Sequence, residues 1–256
     1  SGIEFAGMQP LRRIELGAPL LRDPIRAVRV EAGRALADID RRQFQLEDLK
    51  ALDSAVDEYI EAQMAVADVP EGHMSLALLY QKQNKPGKVE AAYKTAIRID
   101  PLYIPARINL AEHYFQTGRT EEAAPILREG VERQPKDGFA HEALGRFLVR
   151  VQQYEEGMNH IATAAELLPD RADLRYFLGV GLNQTSGYKE AFPQLKKAVE
   201  LDPSNVEYLT GIVLICWDAA DFEQAAFYNQ RLMTLQPGNR QYASWQEALL
   251  QGRPRQ

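Results

Sequence analysis

Four histidines and a single cysteine are the residues of this chain that could hold a metal ion or act as a nucleophile. His113 and His160 fall in different predicted helices, and neither has further ligands at the spacing typical of a metal site. Cys216 stands between Ile215 and Trp217 in an apolar helical stretch, where a small buried thiol is the expected role. We therefore expect these side chains to be structural.

The chain also lacks a recognisable catalytic motif. The sequence has no Ser/His/Asp order, phosphate-binding loop or carboxylate pair that stands out, and the Gly-Val-Gly at 179–181 lies within a predicted helix. Glycines in a helix favour close packing of a neighbour rather than phosphate binding. The sequence predicts a chain that is not an enzyme and that binds no metal and no cofactor.

Composition excludes further classes of function. The net charge of −6 gives no basic stripe for nucleic acid, and no run of 18 apolar residues could span a membrane. One cysteine excludes an internal disulfide.

A period of 34 residues runs through most of the chain. Five prolines stand at this period: Pro101, Pro135, Pro169, Pro203 and Pro237. A large apolar residue precedes each proline by 25 positions, as Leu76, Leu110, Leu144, Leu178 and Ile212. The position after it holds Ala77, Ala111, Gly145, Gly179 and Val213. Small residues recur where two helix backbones must come close, so the pattern predicts paired helices.

This pattern resembles the tetratricopeptide repeat, a helix–turn–helix unit that buries its apolar face only by stacking on its neighbours. The resemblance implies an all-α, right-handed superhelical solenoid. Its five units cover 70–103, 104–137, 138–171, 172–205 and 206–239. The tryptophan usual near the start of each unit is replaced by His73, Arg107, His141, Arg175 and Leu209.

The two ends depart from this register. Residues 1–45 predict a helical pair, and its pattern resembles a HEAT repeat in Asp23, Pro24, Val28, Arg29, Ala32, Ala35 and Leu36. A HEAT unit normally belongs to an array, so this pair has an open face through which the chain could self-associate. Residues 46–69 predict one long bridging helix over 46–67, with apolar residues every three or four positions. Residues 240–256 predict a capping helix and a frayed GRPRQ segment.

The first helix of each tetratricopeptide unit directs certain positions into a concave groove. The residues expected there are Lys82, Asn109, Glu112, Phe115, Phe139, Arg146, Arg150, Tyr176, Asn183 and Trp217. Aromatic side chains beside Arg and Asn are typical of a peptide-binding surface. The alternative is that Phe115 and Trp217 are partly buried between helices.

Arg146 and Arg150 are four residues apart on one predicted helix face, flanked by Phe139 and Tyr176. We expect them to project together and to bind an acidic or C-terminal segment, with an affinity that falls as salt rises. Asn109 matches one position of the clamp that many tetratricopeptide domains use for a terminal carboxylate. The basic pair of that clamp is absent, which argues against a receptor for chaperone tails.

The succession of a HEAT-like unit, a long helix and tetratricopeptide units resembles the C-terminal region of large bacterial multihaem c-type cytochromes. The resemblance implies an exported parent protein and a periplasmic location, with the cytoplasm as the alternative. No Cys-x-x-Cys-His occurs, so we expect no haem on this chain. We predict a non-catalytic module that binds a protein or peptide partner, within a periplasmic electron-transfer assembly. The alternative is a purely structural or oligomerisation scaffold of a larger protein.

Overall fold

The structure is a computed structural model that describes residues 7–255. Over these residues all regular elements are helical, which confirms the predicted all-α class. The helices are α1 (Pro10–Gly17), α2 (Arg26–Leu36), α3 (Leu46–Met64), α4 (Pro70–Lys82), α5 (Pro86–Ile99), α6 (Ile104–Gln116), α7 (Thr120–Arg133), α8 (Gly138–Arg150), α9 (Tyr154–Leu167), α10 (Ala172–Thr185), α11 (Tyr188–Leu201), α12 (Val206–Asp218), α13 (Phe222–Leu235) and α14 (Arg240–Leu250). Short 3₁₀ turns lie at Pro19–Arg22 and Arg41–Gln43.

The helix starts from α4 to α13 follow the 34-residue period. The first helices, α4, α6, α8, α10 and α12, begin at residues 70, 104, 138, 172 and 206. The second helices, α5, α7, α9, α11 and α13, begin at 86, 120, 154, 188 and 222. Side-chain caps fix several of these starts, because Asp137, Asn205 and Asp221 each accept from a backbone N–H of the first turn.

The turn between first and second helices requires a residue in the left-handed region. Asn84, Gly118, Gln152 and Ala220 occupy the same repeat position with φ of 52°, 77°, 64° and 60°. In the fourth repeat α10 is one residue longer, and the residue with positive φ is Gly187, at φ 101° and ψ 179°. At φ near 60° glycine has no steric cost and asparagine a small one, so the turns at Gln152 and Ala220 carry the most backbone strain.

The chain forms two compact units, which divide after Ile126. In the first unit the N-terminal helices have a common core, in which Leu36 of α2 and Leu52 and Tyr59 of α3 pack with Leu79 of α4. The predicted helix over 46–67 is present as α3 and ends three residues earlier, at Met64.

In the second unit, one hydrophobic core extends through the four helices from α11 to α14. Ile212, Val213 and Cys216 of α12 pack there with Tyr228 and Leu232 of α13. Cys216 is fully buried, as predicted, and its burial raises the pKa of the thiol to about 11. A thiol with this pKa is inert, which fits a packing role.

Helices α8 and α9 approach through a pair of glycines. A Cβ added at Gly145 would lie 2.9 Å from the carbonyl oxygen of Gly157 and 2.8 Å from Cγ1 of Ile161. A Cβ at Gly157 would lie 3.0 Å from the carbonyl oxygen of Gly145. Ala111 holds the same position one repeat earlier, but alanine does not fit at 145, because the carbonyl oxygen of Gly157 and the side chain of Ile161 already fill the space.

Candidate functional site

The residues that replace the usual tryptophan bind the loop that precedes their own helix. In three of the repeats this side chain donates to the backbone carbonyl oxygen of the residue six positions earlier. The pairs are His73 with Ala67 at 3.2 Å, Arg107 with Pro101 at 3.1 Å and His141 with Pro135 at 3.2 Å. These side chains close the connection between units, so two of the four histidines are structural, as expected.

His141 also contacts a second histidine. Its Nδ1 lies 3.0 Å from Nδ1 of His160 on α9. Because Nε2 of His141 faces the Pro135 carbonyl, Nδ1 of His141 accepts and Nδ1–H of His160 donates. Burial, and then the neighbouring His141, lowers the pKa of His160. Within residues 7–255 no third ligand joins them to make a metal site.

The contact between His141 and His160 was not predicted. The two rings meet because α8 and α9 form an antiparallel pair, which places residues 19 positions apart side by side. Spacing within one helix could not show this contact.

Four expected groove residues lie on α4 and α6 of the first unit. Lys82 is exposed, and its Nζ donates to the carbonyl oxygen of Arg34 at 3.3 Å, while partial burial lowers the pKa of its amine. Glu112 accepts from Nε2 of Gln116 at 3.0 Å. Asn109 and Phe115 are half-buried, in line with the alternative stated for Phe115.

In the second unit, charged residues of α8 and α10 form a balanced network. Nε of Arg146 lies 2.9 Å from Glu142, and its Nη2 lies 3.4 Å from Asp173. Arg171 bridges the same two carboxylates at 3.1 and 2.7 Å. Arg171 lowers the pKa of Asp173 through these bonds. The guanidinium of Arg146 also lies over the ring of Phe177, 4.7 Å from its centroid.

This network corrects the prediction for Arg146. We expected an uncompensated positive charge shared with Arg150, but Arg146 has two carboxylate partners and the four charges of the network sum to zero. Arg150 is exposed at the end of α8. A preference for acidic segments does not follow from such a network.

Aromatic side chains extend this surface on both sides of the network. Phe139 of α8 is 54% exposed. Tyr176 of α10 is half-buried against Tyr208 of α12, with ring centroids 4.7 Å apart. A Cβ at Gly211 would lie within 2.8 Å of three atoms of Tyr176, so this glycine makes room for the tyrosine ring. Asn183 is half-buried further along α10.

Trp217 departs from its predicted place. It is only 5% exposed, and its Nε1–H donates to the carbonyl oxygen of Arg253 at 2.7 Å. Its ring packs edge-on against Trp245 of α14, with centroids 6.0 Å apart. Trp217 is therefore not an open groove contact, because α14 and the residues after it cover this side chain.

The residues that cover Trp217 are 251–255, here called the 251–255 segment. The backbone N–H of Arg253 donates to the carbonyl oxygen of Ala248 at 3.0 Å. The guanidinium of Arg255 pairs with Asp218 at 2.8 Å. The prediction of a frayed GRPRQ is wrong for residues 252–255, and Gln256 lies outside the described residues.

Residues 80–147, from α4 to α8, match the family model described as a tetratricopeptide repeat. Over these residues the chain is similar to tetratricopeptide repeats. Similar solved structures cover a larger share of the chain. The MamA protein superposes with a TM-score of 0.56 at 17% identity, over 68% of this chain and 94% of that one. YrrB, described as a tetratricopeptide protein with an unusual peptide-binding site, superposes with a TM-score of 0.55 at 18% identity, over 73% and 96%. At these identities the likeness shows the fold.

The curated relatives are much longer proteins, and this chain matches only a small part of each. Anaphase-promoting complex subunit 3 of Dictyostelium discoideum is 27% identical over 95 residues, 37% of this chain and 10% of that protein. Protein O-mannosyl-transferase TMTC3 of Homo sapiens is 23% identical over 205 residues, 74% of this chain and 22% of that protein. The chain thus spans less than a quarter of each relative.

Two residues on the surface of the second unit that carries Phe139 and Tyr176 were not predicted. Arg171 precedes the first turn of α10, outside the helical positions from which a groove is deduced. Tyr208 stands where Ala140 and Leu174 are buried in the two preceding units. Its size was a signal, because a tyrosine cannot occupy the space of an alanine.

The helices between residues 7 and 255 include none with the length and hydropathy of a membrane span.

Proposed function

We propose that the chain is a non-catalytic module that binds a peptide or protein partner on the Phe139 face, formed by Phe139, Glu142, Arg146, Asp173 and Tyr176. Tetratricopeptide repeats are interaction modules, and the fold supports that general role. The observation that carries the proposal is the exposed ring of Phe139 on the same helix as the network of Glu142 and Arg146. An apolar anchor beside fixed polar groups is the arrangement of an interaction hot spot.

The balanced network determines what kind of contact this face makes. Its guanidinium and carboxylate groups are already oriented by one another, so a partner finds both donors and acceptors in place. A partner would bury the Phe139 ring and exchange hydrogen bonds with the rim of the network. Because the four charges sum to zero, we expect the affinity to depend only weakly on salt, in contrast to the sequence-based expectation.

A peptide selection tests the proposal. Peptides selected from a random library against the intact chain are measured against Phe139→Ala and against Phe227→Ala. Phe227 is a matched control, since it is 58% exposed on the second helix α13. Loss of an anchoring aromatic costs about 2 kcal/mol or more, so we expect Phe139→Ala to weaken binding by tenfold or more. Equal binding to both variants would refute the Phe139 face.

A scaffold role is the second candidate, and exposed apolar residues favour it. Leu11 of α1 and Ile25 before α2 are 70% and 61% exposed on the N-terminal helices. In this case the HEAT-like pair is a self-association surface. Sedimentation of the intact chain and of Leu11→Ser/Ile25→Ser tests it, and a monomer at all concentrations would argue against the scaffold.

The periplasmic electron-transfer setting is also part of the proposal, and its support is the resemblance to multihaem cytochromes. Several Cys-x-x-Cys-His motifs in the same gene would support it. Their absence, with the chain found in the cytoplasmic fraction, would refute it.

A further inference from the structure

A second surface of the second unit lies at α12 and α14, and it already holds a segment of chain. The backbone carbonyl of Arg253 accepts from Nε1–H of Trp217, and the side chain of Arg255, two residues later, pairs with Asp218. We call Trp217, Asp218 and Trp245 the Asp218 site. Beside it an open cavity of about 740 Å³ is lined by Leu214, Asp218, Tyr242 and Trp245, among others.

Each contact of the 251–255 segment is one that another chain could make. The Trp217 indole N–H is buried and requires an acceptor, and any extended backbone offers a carbonyl. The side chains of Arg255 and Asp218 remain 43% and 49% exposed, so their ion pair is weak and exchangeable. The neighbouring cavity leaves space for residues beyond those now bound.

The charge of α12 indicates which partner fits. Its charged residues are Glu207 and Asp218, and the helix has no lysine or arginine. An acidic segment would be repelled here, whereas an arginine can form a paired hydrogen bond with a carboxylate.

We propose that the Asp218 site binds an extended segment of a partner protein that carries an arginine two residues after the carbonyl accepting from Trp217. The 251–255 segment occupies the site until such a partner displaces it. This inference rests on the proposed function, since it takes the chain to be a peptide-binding module, but it concerns a different surface from the Phe139 face.

Tryptophan fluorescence of the intact chain provides the test, because both tryptophans of the sequence belong to the site. The probe is the acetylated and amidated peptide GRPRQ, with GRPAQ as its arginine-free counterpart. In the unchanged chain the tethered segment competes at high effective concentration, so the probe binds weakly. Arg255→Ala weakens that competitor and should tighten probe binding about fivefold, the upper value for an exposed ion pair. Arg253→Ala keeps its carbonyl and is the matched control, expected to behave like the unchanged chain.

Three results would support the inference together: tighter binding to Arg255→Ala, weaker binding of GRPAQ, and loss of the gain in Asp218→Asn/Arg255→Ala. Equal binding of GRPRQ and GRPAQ, or no gain in Arg255→Ala, would overturn it. Circular dichroism of each variant establishes that it is folded. Failure here with a positive Phe139→Ala result would reject the Asp218 site alone. Failure of both would reject peptide binding at either surface.

Discussion

Single residues in this chain combine packing with hydrogen bonding in places where the family pattern expects an apolar ring. Arg107 is the extreme case. Its side chain is 1% exposed, and its guanidinium donates to the carbonyl oxygens of Pro101 and Ile126. The aliphatic part fills the space of a ring, while the head group donates to two backbone carbonyls.

Arg107→Ala should therefore destabilise the chain by about 2–4 kcal/mol, from the combined loss of buried packing and of the hydrogen bonds to Pro101 and Ile126. Urea unfolding followed by circular dichroism measures this difference. Arg98→Ala, at an exposed position of α5, is the control and should change stability by less than about 0.5 kcal/mol. Equal stability of the two variants would show that Arg107 is not a structural residue.

Glu90 makes the stability of the first unit depend on pH. It accepts from Arg119, Lys94 and the Tyr114 hydroxyl, and these bonds, that of Arg119 first, hold its pKa at about 2 instead of 4.5. The carboxylate is charged in the folded state down to a lower pH than in the unfolded chain. Its contribution is thus complete above pH 4.5 and is lost as the pH falls towards 2.

Glu90→Gln should show a smaller loss of stability between pH 4.5 and 2 than the unchanged chain, because the linked proton is absent. Urea unfolding at several pH values in this range measures it. Glu121→Gln makes the same change of charge at an exposed position of α7 and serves as the control. A loss as steep in Glu90→Gln as in the control would contradict the assignment.

At the level of elements, the turns and the glycine contacts determine how each helical pair is built. The 34-residue period predicts where helices begin, because proline and capping residues recur with it. It does not predict how closely two helices of a pair approach. Gly145 and Ala111 share a repeat position, but only the third repeat, 138–171, has a second glycine opposite, Gly157. This pair of glycines brings α8 and α9 into backbone contact.

Gln152 and Ala220 adopt the left-handed region at φ 64° and 60°. Replacing either with glycine removes that strain, and we expect a gain of about 0.5–1 kcal/mol in each case after the entropy of the glycine is included. Ala219→Gly, one residue earlier at φ −81°, should instead be neutral or destabilising. Thermal unfolding separates these outcomes, and a loss of stability in Gln152→Gly and Ala220→Gly would show that their turns are not strained.

Gly145→Ala should destabilise the second unit by about 1–3 kcal/mol, since the added methyl group meets the carbonyl oxygen of Gly157 and the side chain of Ile161 on α9. Gly145→Leu should cost more. Gly87→Ala, where no atom lies within 4 Å of the new Cβ, should gain about 0.5–1 kcal/mol of helix propensity. If alanine at 145 proved as favourable as at 87, the close approach of α8 and α9 would be refuted.

For the molecule as a whole, the sequence predicted the class of fold and some of the residues of the candidate surface. The periodic small and large residues are sufficient for an all-α repeat fold, because each unit repeats the same packing requirement. Partner choice among charged side chains is not periodic, so the compensation of Arg146 by Glu142 and Asp173 was missed. The burial of Trp217 was given only as the alternative, since its cover, the 251–255 segment, lies beyond the last repeat.

We propose that partners bind to the first helices of the second unit. Amide chemical shifts of the isotope-labelled chain, recorded with and without a selected peptide, locate the bound surface residue by residue. We expect the largest changes at Phe139, Glu142 and Arg146 of α8 and at Asp173 and Tyr176 of α10. Changes concentrated on the second helices α9, α11 and α13, with these residues unaffected, would contradict it.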